Sequence, residues 1–96
     1  MGRKLTRHAP FAEYGRRLRA ARLALGYEIL DHYAKKAGIP PKYYSMHETG
    51  VHLITIERAK ALKRTYDLSF DYIFDGDMDN LPRKLVEKIS ELLPTL

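Results

Sequence analysis

"AKKAGIPPKYYSMHETG" (residues 34–50) is the stretch on which the reading of this chain turns. A helix-forming run ends at Gly38, two prolines follow, and a short segment with two tyrosines, a lysine and a methionine runs to Gly50. Proline suits the first helical turn, where the N–H has no intrahelical partner, and Pro41 also disfavours helical geometry at Pro40. The spacing therefore predicts one helix closed by Gly38 and another opening at the prolines and closed by Gly50. On a helical wheel Tyr44, His47 and Glu48 share the inward face of that second helix, leaving Pro41, Lys42, Ser45 and Met46 outward. So few aliphatic side chains make it a helix that presents a surface.

The flanking sequence is helical throughout. Phe11, Tyr14, Leu18 and Leu25 fall at helical spacings and Gly26 stops that helix. The next should run from near Glu28 to Lys36 with Ile29, Leu30 and Tyr33 inward. Thr55 is a good N-cap for a helix to about Tyr66, with Ile56, Ala59, Leu62 and Lys63 on successive turns. Ser69 can cap a short helix over "FDYIF". Asn80 is expected to cap a last helix whose stripe is Leu85, Val86, Ile89, Leu92 and Leu93. With no strand pattern, the fold class is all-α. Residues 1–10 read as a flexible basic N-terminal arm, 11–77 as one helical domain, and 78–96 as a C-terminal helix for dimerisation.

The 96 residues carry a net charge of +5, unevenly spread. Residues 1–64 hold 14 Lys/Arg against 5 Asp/Glu, whereas residues 65–96 hold 3 against 7. The first part suits a polyanion. There is no Cys, which excludes disulfides and thiolate metal sites. No apolar run reaches the roughly 18 residues of a membrane span, so no membrane role is expected, and a cytoplasmic, nucleoid-associated protein is.

A helix, a tight glycine turn and a short surface-presenting helix form the helix-turn-helix arrangement, whose second helix lies in the major groove of DNA. The chain resembles the phage repressor and Cro type of this motif, the XRE-like regulators. The resemblance rests on Arg22-Leu23, Tyr33-Ala34 through Gly38, Ser45 through Gly50, and Phe70-Asp71-Tyr72-Ile73 through Gly76-Asp77, with eleven residues between Gly38 and Gly50. It implies a five-helix, lambda-repressor-like domain with an additional C-terminal helix. It also implies a transcriptional regulator that binds a double-stranded DNA operator, an inverted repeat, as a homodimer.

By the same resemblance Pro41, Lys42 and Met46 take base-reading places, with Tyr43 and Ser45 beside them, while Thr49 and His52 match segments that grip phosphates. Arg22 and Glu48 would form a structural ion pair. Two departures stand out: Leu30 replaces an expected phosphate-binding Gln, and His47 replaces an aliphatic residue. Because the loop after Gly50 lacks basic residues, Lys35, Lys36, Arg16, Arg17 or the arm are expected to add affinity. The dimer interface is expected from Phe70, Ile73, Phe74, Leu85, Ile89 and Leu92.

Other chemistries fit poorly. The four His are scattered, so no metal site is expected. Asp75, Asp77 and Asp79 alternate like the start of a calcium loop, but Asn80 stands sixth and Val86 twelfth where Gly and Glu are needed. No catalytic constellation or phosphate loop appears, so neither an enzyme nor a cofactor is expected. The alternative is an antitoxin that shares this DNA-binding domain and clasps a toxin with its C-terminal helix.

Overall fold

A computed structural model describes residues 9–96. The basic arm expected at the N-terminus lies, through residue 8, outside the described residues. The described residues form five α-helices and no strand. These are α1 (Ala12–Ala24), α2 (Leu30–Lys36), α3 (Pro41–Glu48), α4 (Ile56–Tyr66) and α5 (Arg83–Leu92). A single π-helical turn, Asp71–Asp75, precedes α5, and a 3₁₀ turn, Leu93–Thr95, follows it.

The helix ends follow from local chemistry. Pro41 opens α3 behind an extended Pro40 at ψ 127°. At the other end Gly50 adopts φ +83°, and the N–H groups of Gly50 and Val51 bond the carbonyls of His47 and Met46. This double closure is a Schellman motif, which needs the left-handed residue that glycine supplies. Gly38 ends α2 in the same way, with Ile39 N–H on the Ala34 carbonyl. Thr55 caps α4 by accepting the Arg58 N–H at 3.1 Å.

Helix α1 is the centre of the fold. It packs against α3 on one side and against α5 and the π-turn on another. The core between the helices is unusually aromatic: Tyr33 stacks on Tyr66 with ring centroids 4.2 Å apart, and Tyr44 and Tyr27 lean on Tyr33. The Tyr66 hydroxyl donates to the Tyr33 carbonyl, and the Tyr72 hydroxyl donates to the Arg17 carbonyl at 2.6 Å. Each of these two phenols thus enters the interior with its polar end satisfied.

Glycine permits a close approach of α1 and α3. A Cβ placed on Gly15, in the N-terminal part of α1, would overlap the backbone carbonyl of Glu48 at the end of α3. A Cβ on Gly50 would lie 2.6 Å from Ala12 Cα, and the Phe11 N–H donates to the Gly50 carbonyl at 3.0 Å. The two helices therefore meet backbone to backbone.

Five details depart from the sequence reading. Ile29 is 55% exposed, because α2 starts at Leu30, two residues after Glu28, and Ile29 is its extended N-terminal flank. Ile56 is 56% exposed, being the first residue of α4 and outside its buried stripe. The segment after Ser69 closes as a π-turn, although Ser69 Oγ does accept the Tyr72 N–H. Asn80 does not cap α5: its side chain donates to Asp71 Oδ2, and Pro82 stands at the helix start.

The fifth departure is the largest. Ile73, Leu85 and Ile89, expected at a dimer interface, are buried in the protomer's own core, where α5 packs on α1. Phe70, Phe74 and Leu92 are half-buried, with Phe70 and Phe74 packed against that core.

Gly15→Ala is expected to destabilise the protein by about 3 kcal/mol, the upper end of overpacking costs. On a free helix face the same change stabilises by about 0.5–1 kcal/mol, so the sign of the shift in a urea titration checks the contact.

Candidate nucleic-acid interface

The placement of α3 begins with a buried charge. Arg22, near the end of α1, is only 6% exposed. Its Nε donates to Glu48 Oε2 at 2.7 Å and its Nη2 to Glu48 Oε1 at 3.1 Å, a bidentate fork. Nη1 donates to the carbonyls of Tyr27 and Glu28 at 2.8 and 3.0 Å. One guanidinium thus ties together the end of α1, the turn into α2 and the end of α3. Burial works against its charge, but the Glu48 hydrogen bond and charge outweigh this and raise the Arg22 pKa.

His47 makes a second tie. It is 3% exposed, with Nδ1 3.0 Å from the His52 carbonyl and Nε2 3.1 Å from Arg58 Nη1. Arginine can only donate, so Nε2 accepts and the imidazole proton sits on Nδ1, donating to His52. The histidine that stands in an aliphatic place therefore fastens α3 to its following loop and to α4. Burial foremost, then the Arg58 and His52 charges, lower its pKa, while the bond to the His52 carbonyl opposes them.

With Tyr44, His47 and Glu48 committed inward, α3 turns its other side to solvent. Lys42 and Thr49 are exposed and Tyr43 is 47% exposed. Pro41, Ser45 and Met46 are partly exposed on the same helix, and His52 is exposed in the loop. The Arg58 guanidinium lies over the Tyr43 ring, 5.1 Å from its centroid. Exposed Val51, Leu53 and Ile56 line the segment that leaves α3.

The expected basic helpers divide. Lys35 and Lys36 are exposed on α2, with the Lys36 ammonium 3.1 Å from the Tyr27 hydroxyl. Arg16 and Arg17 are turned to the C-terminal part of the molecule instead. Arg16 donates to the Leu93 carbonyl at 2.6 Å, and Arg17 donates to the carbonyls of Ile73 and Phe74. They satisfy the free carbonyls at two helix ends, which engages their guanidinium donors there.

The sequence reading named neither Gly15 nor Arg58. A glycine inside a helical pattern carries its own signal, since it costs about 1 kcal/mol relative to alanine and needs a packing reason. Arg58 leaves no such trace, because its partners come from a different helix.

The family described as helix-turn-helix matches residues 18–73, more than half of the chain. No curated protein and no solved structure matches it.

Two outcomes test these ties. Glu48→Ala should cost about 3–5 kcal/mol by leaving the buried Arg22 charge without its counter-ion, whereas the double change Arg22→Met with Glu48→Leu should cost less. Chemical denaturation of the single and double variants measures both. For His47, the unfolded chain binds the proton more tightly than the folded one. Its contribution is therefore complete above pH 6.5, the ordinary value, and is lost as pH falls below it. Urea midpoints should drop across that window, and His47→Gln should flatten the drop.

Proposed function

The chain belongs to the phage-repressor and Cro type of helix-turn-helix family, and we propose that it is a repressor which binds an inverted-repeat operator as a homodimer. Membership makes it a DNA-binding transcriptional regulator. The observation that carries the finer reading is α3, whose inward residues are all spent on anchoring while Lys42, Tyr43, Ser45 and Met46 remain available.

The roles follow from the chemistry of these side chains. Lys42 stands in the first turn of α3, the end that enters the groove in such motifs, and its ammonium donates to guanine O6 and N7. Met46 offers apolar contact to a thymine methyl. Pro41 and Ser45 flank them. Tyr43, Thr49 and His52 serve the sugar–phosphate backbone, which sets register and carries no sequence information. In a homodimer two such helices enter successive major grooves about 34 Å apart. Of the apolar residues expected at the dimer contact, Phe70, Phe74 and Leu92 keep exposed surface for a partner.

Lys42→Ala is expected to weaken operator binding by roughly 1–3 kcal/mol, with a smaller effect on random duplex. Fluorescence anisotropy on a footprinted operator and on a scrambled duplex measures the difference. Equal losses on the two DNAs would assign Lys42 to phosphate instead.

A further inference from the structure

We infer that Arg58, on α4, is a phosphate ligand for DNA whose direction is set by two residues of α3, His47 and Tyr43. This rests on the reading of α3 as the groove-facing helix. No Lys or Arg occurs between Lys42 and Arg58 in the sequence, so α3 and its following loop supply no further strong cation of their own. The fold brings one in from the next helix.

The geometry is that of a positioned donor. The guanidinium sits 5.1 Å from the centroid of the half-exposed Tyr43 ring, while Nη1 donates to His47 Nε2 at 3.1 Å. His47 is itself held by the His52 carbonyl at 3.0 Å. The ring contact and a single nitrogen are engaged, and the rest of the fork takes no hydrogen bond among the described residues. Guanidinium N–H pairs match two oxygens of one phosphate, and a side chain already held loses less freedom on binding. Arg58 belongs to α4 and not to the helix read as entering the groove, so it is assigned to the strand backbone and not to a base edge. His47 and Tyr43 act as positioning residues.

Arg58→Gln is the test, because the amide still donates to His47 Nε2 while the charge is gone. The variant should weaken operator and scrambled duplex by the same factor and reduce the slope of log affinity against log salt by about one. Arg58→Lys, which keeps the charge, should restore the slope. An undiminished slope for Arg58→Gln, beside a steep wild-type slope, would overturn the assignment and leave the groove-facing reading intact. A wild-type affinity indifferent to salt would sink that reading itself. A second measurement needs no variant: an arginine-selective dicarbonyl, with peptide mapping, should modify Arg58 in free protein and spare it in saturating scrambled duplex. Equal modification in both would refute the contact.

Discussion

The fork between Arg22 and Glu48 is the constraint from which the rest of the surface follows. Three segments end near one point, and each leaves polar groups that need partners: the α2 approach offers two carbonyls, α3 offers a carboxylate, and α1 brings a cation. A buried arginine is tolerable only with nearly all its donors used, and here four hydrogen bonds meet that requirement. Planar, five-donor geometry explains why this position needs arginine and not lysine. The ion pair need not add net stability. It fixes which face of α3 points inward, and so which face does not.

Around that fixed point the contacts grade from rigid to adaptable. Gly15 and Gly50 let backbones touch, a contact with no side-chain freedom at all. The stacked tyrosines come next: broad rings with few torsions and, at Tyr66, an anchored hydroxyl. His47 is the softest of the ties, because its acceptor role survives only while the ring is neutral. Stability and the geometry of the α3 surface are therefore linked through one imidazole.

Much of this was legible in the residues, and the limits have physical causes. Glycine and proline punctuation placed α3 well, since those residues act locally through φ and the missing N–H. The Thr55 cap was equally local. Positions decided by distant packing were not legible. Leu85 and Ile89 form an apolar stripe that suits a partner or a core equally well, and only the docking of α5 on α1 separates the two. Arg16 and Arg17 looked like surface cations because their carbonyl partners lie more than fifty residues away in sequence. Asn80 failed as a cap for a related reason: Asp71, on the preceding turn, took its amide. On the outward side of α3, exposure could be read from the wheel, whereas the tie from α4 could not.

The division of labour along α3 has an evolutionary corollary. Its scaffold duties fall on Pro41, Tyr44, His47, Glu48 and the closing glycine, while the side chains at 42, 45 and 46 make no hydrogen bond among the described residues. Drift at those three sites leaves the hydrogen bonds that anchor α3 intact. A lineage carrying this scaffold can diversify its vocabulary of target sites by small steps, each intermediate remaining a competent, intact protein.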